Sequence, residues 1–529
     1  LVIDPAAAAM ALLAAVMVLA SAIFSWRYFD VAGELYHVLM LCFLAGMVGF
    51  AFAGDIFTLF VFFELMSIPA FVLTATKIEE VEALSGGFNF AVINTAGGLV
   101  MLLGIALIYA RTGTLSMGHL GAALAGTRAD GMVVVAFVFI SVGLFTKAGL
   151  VPFHFWLADA HAVAPTPVCV VLSGVMVELG AFAVARVDFA VFGSQLADHT
   201  TAYRVALVGA GAFAAVLGGL MSLGQRHLKR LLAQSTVSHI GVIVTGIGLL
   251  EPTAVAGAGI YLIAHALIKG ALFMMAGVLL HRFGTVDANE LAGRGKRMRW
   301  VGVLLAVGGL ALAGLPPIGL ALGTSLIHEG ARHAGAGWLV VVAVFASVTT
   351  GAAVLRAGAH VFLGWGGREG AGASTPEHEE PETRGPHRTT PVVMLVPAAV
   401  LLAAVVALGL IPGLAEAAYR AALRLMGGMS EAVGAGPASA QVTTAHFGPF
   451  KSSPWLGTAS AAGAVVVAVS SLGMHRLPRR LRGAVDSAIA TAMAPLHRLH
   501  SGKIGDQLVW LAVGIATLVL VIAIGAVGC

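Results

Sequence analysis

Glu64, Lys147, Glu178, His239, His265 and Lys269 each stand inside an apolar stretch long enough to cross a lipid bilayer. A charged side chain at bilayer depth costs at least ~2.5–3.5 kcal/mol on insertion scales, so this set implies a polar path through protein. Carboxylates, ammonium groups and imidazoles are also the side chains that load and release protons, and an ordinary histidine pKa near ~6.5 suits an intermediate position. At ~4 Å in a medium of effective dielectric ~20, a Glu64–Lys147 pair would gain about 4 kcal/mol, so forming or parting it would load or unload a proton. The spacing of His265 and Lys269, i and i+4, puts both on one helix face. The residues predict a chain Glu64, Lys147, Glu178, His239, Lys269 across the membrane plane, helped by the hydroxyls of Ser235, Thr236 and Ser238.

Simpler readings stand beside this one. A mid-span Glu or Lys can cement helix packing as a static pair, and His239 and His265 can be packing histidines or axial ligands of a haem. Asp55, Asp159, His154 and His161 lie at span ends or in a short connection and read as interfacial or funnel residues, and His119 as solvated.

The elements that must position these groups follow from composition. With 59% hydrophobic and 11% charged residues, and a mean hydropathy of +0.95, the chain is an integral membrane protein. Apolar runs of about 20 residues predict some 14 helices, an all-α polytopic bundle; β-barrel strands would be shorter and alternate in polarity. The 67 glycines fit close packing of such helices. Net charge +4 sits in short loops, which excludes nucleic acid as a partner and leaves lipid as the surroundings. Cys42, Cys169 and Cys529 form no CxxC pair, and no nucleotide-binding glycine loop follows a strand, so neither a cofactor nor a metal is expected. The basic loops Gln225–Arg230 and Arg282–Arg299 should be cytoplasmic, which places a multi-pass protein in the inner (plasma) membrane. Counting on from them puts the acidic loop 366–390 outside, and a cytoplasmic connector at 475–503 then needs one more crossing within 413–454.

Breakers interrupt two spans, at Gly149 to Pro152 just after Lys147 and at Gly314 to Pro317 just before the polar run Gly323–Glu329. Paired broken helices in two halves of a transporter point to its ion path.

The stretch Gly54-Asp-Ile-Phe-Thr-Leu-Phe-Val-Phe-Phe-Glu64 resembles the proton-conducting antiporter-like subunits of complex I, Mrp antiporters and group 4 membrane-bound hydrogenases. So do Lys147-Ala-Gly-Leu-Val-Pro-Phe-His154-Phe-Trp156-Leu-Ala-Asp159-Ala-His161, Leu228-Lys-Arg-Leu-Leu-Ala-Gln-Ser-Thr-Val-Ser-His239, His265-Ala-Leu-Ile-Lys269 and Leu312-Ala-Gly-Leu-Pro-Pro317, in that order. The resemblance implies two inverted five-helix repeats with broken helices, a proton relay through the six residues above, and two further helices ahead of Leu1. Motif positions put the N-terminal helices at 1–53, the repeats at 54–225 and 226–365, the acidic loop at 366–390 and the C-terminal helices at 391–529. Two positions depart from the pattern. Glu178 stands where many relatives carry lysine, and Thr324 where they carry lysine or glutamate near the exit, with His328 and Glu329 as substitutes.

An amphipathic, basic stretch at 475–503 and a last span ending at Cys529 are similar to the extended subunits of hydrogenase-type complexes or of complex I more than to the compact Mrp D-type subunit. The implied protein moves H+ as a non-redox subunit among other small membrane subunits. An Mrp-type Na+/H+ antiporter subunit, an inert scaffold subunit, a stand-alone carrier and a haem-binding electron carrier are the alternatives.

Overall fold

A computed structural model describes residues 1–29, 33–77, 80–125, 130–193, 195, 200–366, 387, 389–427, 454–473, 491 and 503–527. The connector at 475–503 and most of the 366–390 and 413–454 segments therefore lie outside the described residues, as does Cys529.

The order is α1 (Pro5–Tyr28), α2 (Glu34–Ala51), α3 (Ile56–Thr74), α4 (Val81–Thr112), α5 (Met117–Leu124), α6 (Gly131–Ala148), α7 (Phe155–Val163), α8 (Thr166–Val171) and α9 (Val177–Val191). There follow α10 (Thr200–Gly224), α11 (Leu228–Gly248), α12 (Pro252–Phe283), α13 (Arg299–Leu312), α14 (Gly319–His333) and α15 (Leu339–Gly358). The chain continues in α16 (Val392–Leu410), α17 (Leu414–Met426), α18 (Pro454–Gly473) and α19 (Ile504–Val527). Among the described residues, 13 helices are long and apolar enough to cross a membrane, and α13 is a shorter apolar helix. In hydrocarbon every backbone group must be satisfied internally, so apolar segments of this length fold as helices. Their ends are marked by side chains: Asp4, Asp55 and Asp130 accept the backbone N–H of Ala7, Thr58 and Val133 at 2.8, 2.7 and 3.0 Å. Gly113, Gly149 and Gly284 close α4, α6 and α12 at positive φ.

One pattern occurs twice. Spans α2, α3, α4, the broken α6–α7 and α8–α9 are followed by α10, α11, α12, the broken α13–α14 and α15. The second and third spans of each set are tied alike: Ile56 N–H donates to Leu115 O and Met117 N–H to Gly54 O, while Leu228 N–H donates to Val286 O and Ala288 N–H to Arg226 O. α4 and α12 are each 32 residues long. Both breaks close with the same bond, from Leu150 N–H to Phe145 O and from Leu315 N–H to Leu310 O. Five crossings are an odd number, so the second set starts from the opposite face.

The breaks also settle the sidedness. α13 begins at the basic face, and α14 ends at His333, 3.6 Å from Glu251 at the far end of α12, so α13 and α14 together cross once. As two separate spans they would reverse the sidedness of everything downstream. Gly293 N–H donates to His360 O, and His387 N–H donates to His281 O at the basic end of α12. Both flanks of the acidic loop are thus on the basic face, not outside as expected. No extra crossing is then needed within 413–454; the described α17 is a 13-residue amphipathic helix, spanning ~20 Å.

α18 and α19 each rest on one break. A Cβ at Gly457 would stand 2.5 Å from Gly314 O, and one at Gly514 would stand 2.6 Å from the Phe153 ring. The last span folds against the chain's own α6–α7 break.

Candidate functional site

Lys147 is the penultimate residue of α6, fully buried, where the unpaired carbonyls of a helix C-terminus favour a cation. Trp156, on the far side of the break, donates its indole N–H to Thr146 O at 2.9 Å and stacks on Phe90 at 4.4 Å, which fixes the broken end. The lysine ammonium donates to Ser67 Oγ and stands 3.9 Å over the Phe63 ring. It shares an electrostatic interaction with Glu64 but no ion pair within 4.0 Å, so the direct pair expected from sequence is replaced by Ser67, one turn beyond Glu64 on α3. Glu64 itself is only half-buried, near the middle of α3. Its Oε1 fills the space that a side chain at Gly98 of α4 would need.

The second group lies where α9, α11 and α12 meet. A π-turn, Leu172–Met176, precedes α9 and turns Glu178 into the core, where it pairs with His265 Nδ1, both fully buried. The His265 ring stacks on His239 at 4.8 Å, and His239 bonds Tyr261 Oη at 2.6 Å and Thr350 Oγ1 at 3.0 Å. Lys269, one turn beyond His265, donates to Ser235 Oγ and to Leu232 O at 2.7 Å. Thr236 and Ser173 hydroxyls share a 2.7 Å bond, while Ser238 donates to Ala215 O and takes no part. Glu178, His265 and His239 are thus in direct succession, and Lys269 stands one turn beyond His265 on the same helix, held by Ser235 and Leu232. Gly180 brings the two groups near each other: a Cβ there would lie 2.6 Å from Ala148 N, beside Lys147.

Two imidazoles stacked face to face at 4.8 Å leave no room for a macrocycle between them, so the haem reading fails on geometry. Among the described residues no cluster of three or more His, Cys, Asp or Glu is placed to hold a metal.

The expected exit residues separate. Thr324 bonds back to Leu320 O at 2.8 Å, so its hydroxyl serves its own helix. Glu329 is partly exposed, while His328 is buried at a cleft shared with Thr245, Leu339 and Val342. Glu251, not singled out from sequence, caps α12 and meets His333 at this end. Other charges are buried outside the two groups. Arg186 on α9 pairs with Asp4, Asp188 is fully buried one turn from its end, and Lys229 is fully buried although its motif read as a basic loop. Charges inside the apolar run 167–190 were the available signal for Arg186 and Asp188. His154 and His161, read as interfacial, are buried.

The chain has known counterparts in sequence and in fold. The chain is 32% identical over 415 residues to NADH-quinone oxidoreductase subunit N of Desulforudis audaxviator, covering 78% of this chain and 81% of that one. It is 30% identical to a Na(+)/H(+) antiporter subunit of Bacillus subtilis, covering 68% and 69%. The Mrp complex of a Dietzia species contains a chain of TM-score 0.71 and 26% identity, with 80% of this chain and 84% of that chain covered. Residues 53–350, which hold both breaks and every buried acid and base of the two groups, match the family described as NADH:quinone oxidoreductase/Mrp antiporter, TM. This multi-pass membrane protein, with its paired broken helices, belongs to that family.

Proposed function

We propose that the chain is a proton-translocating subunit of a multi-subunit complex of the complex I, group 4 hydrogenase or Mrp type. Glu64, Ser67 and Lys147 form one loading site, and Lys269, Glu178, His265 and His239 a second. The two sets of five spans act as its inverted halves, beginning at Glu34 and Thr200, ahead of the motif-drawn boundaries at 54 and 226. The observation that carries the reading is the fully buried Glu178–His265 pair, which joins α9 of the first set to α12 of the second. A buried pair of this kind is weak evidence for stability, since apolar residues would pack as well, and its value lies in holding protons where the halves meet.

Glu64 supports the partnership with other membrane subunits. A half-exposed carboxylate at mid-span would be costly against lipid, and a neighbouring subunit packed on α3 would shield it. The likeness to a Na(+)/H(+) antiporter subunit leaves sodium exchange as the second reading.

Everted membrane vesicles carrying the whole complex, read with a pH-sensitive dye, test the proposal. Lys147→Ala should abolish proton movement while the complex still assembles. Unchanged proton movement would make the chain a scaffold, and dependence of the flux on added Na+ would favour the second reading.

A further inference from the structure

His161 sits on α7 with no exposed surface, and among the described residues neither ring nitrogen has a hydrogen-bond partner. A polar group buried in this way costs about 1–3 kcal/mol, which a packing residue of similar shape would avoid. Its ring stacks on Phe273 at 4.7 Å, one turn of α12 beyond Lys269, and it feels the charges of both Lys269 and Lys229. Lys229, also fully buried, donates to Ala164 O at 3.2 Å, the carbonyl that follows α7. One residue further on, Arg230 meets Asp159 of α7 at 3.8 Å, and both of these side chains reach solvent. α7 and the start of α11 thus run from a partly exposed ion pair at the basic face, past one buried ammonium, to a buried imidazole, and on to the ammonium of the second loading site.

We propose that His161 is a proton carrier between the basic face and Lys269, with Asp159 and Arg230 at the mouth and Lys229 as the intermediate charge. The proton passes from solvent at the mouth to one ring nitrogen, and the opposite nitrogen releases a proton toward Lys269 after Lys269 has passed its own proton on and stands as the neutral amine, so the ring changes tautomer and no net charge accumulates on it. The inference rests on the relay reading above and gives its second half an inlet on the face that the positive-inside rule makes cytoplasmic.

The test uses the whole complex with Cys42, Cys169 and Cys529 replaced by alanine. His161→Gln should lower proton flux on the order of 10²-fold, the scale of a lost general acid–base group. In the same background, His161→Cys should react with a small, charged thiol reagent supplied from the basic face and not from the opposite face. Packing alone would make His161→Gln harmless to flux and the cysteine unreactive from either face, which would overturn the inference. Reaction only from the opposite face would overturn it too. Lys147→Ala separates the two failures. If that variant stops transport while His161→Gln does not, the inlet is wrong and the relay stands; if neither affects transport, the relay itself is wrong.

Discussion

Glu64 and Gly98 face each other across the α3–α4 interface so closely that a methyl group on the glycine would overlap Glu64 Oε1. The glycine is there for the carboxylate. Because the atom in the way is the tip of a flexible side chain, Gly98→Ala should cost less than ~1 kcal/mol of stability. It should nevertheless push Glu64 off its position and lower proton flux by about tenfold, on the scale of a misplaced reacting group. Flux in vesicles and thermal unfolding in detergent, measured on one preparation, check both halves of this expectation.

Ser67→Ala takes away the hydroxyl that accepts from Lys147. A hydrogen bond to a charged group is worth ~1.5–3 kcal/mol, so the loss should show in both stability and flux. Ser67→Thr keeps the hydroxyl and should restore much of both; equal defects in the two variants would mean that the hydroxyl is irrelevant.

Glu178→Lys would put an ammonium in place of the carboxylate that pairs with His265 in a fully buried site. An unpaired buried charge costs about 3–5 kcal/mol, so this variant should lose thermal stability or fail to assemble. Glu178→Gln keeps the shape and removes the charge, and should assemble but not transport. A stable, active lysine variant would mean that the Glu178–His265 pair is not required.

Gly457 and Gly514 seat the last two spans on the helix breaks. Overpacking costs typically 1–3 kcal/mol, and the neighbour decides the amount. Gly457→Val meets a backbone carbonyl that cannot move, whereas Gly514→Val meets the Phe153 ring, which can. Melting temperatures in detergent should fall further for the first than for the second.

Asp130 caps α6, and the Val133 backbone N–H and the Arg111 guanidinium hold its carboxyl below the usual carboxylate range. A depressed value means stability that is fully present above the unfolded-state value and fades as the pH falls through the folded one. Asp130→Ala should therefore cost ~1 kcal/mol at neutral pH, and the difference from the native chain should vanish on acidification. A difference independent of pH would mean that the charge does not act at this cap.

Much of the fold was legible in the chain because bilayer solvent imposes one rule on every apolar run. The breaks at Gly149 to Pro152 and at Gly314 to Pro317 could be read directly, since glycine followed within three residues by proline interrupts the backbone ladder of a helix. The two apolar stretches on either side of the Gly314 to Pro317 break misled for a physical reason. Hydropathy counts apolar residues and cannot tell two half-length helices in line from two that each cross.

The site was legible by residue type and less so by connection. Glu64, Lys147, Glu178, His265 and Lys269 stood out because each is expensive where it is. Which of them touch was decided by packing: the Ser67 hydroxyl came between Glu64 and Lys147, and a π-turn swung Glu178 onto His265. Lys229 was hidden by its basic neighbours, since sequence cannot show where the first turn of α11 dips below the surface.

By itself the sequence determined that this chain lives in a bilayer, spans it as helices and carries titratable groups at depth, because the cost of charge in hydrocarbon is a property of residue type and position along a span. Only the tertiary structure decided the succession Glu178, His265, His239, the single crossing of α13 and α14, and the return of α19 to the chain's own break. Those depend on which helix faces meet, and close contact between helices far apart in the chain is set by three-dimensional packing of small residues, not by any local pattern.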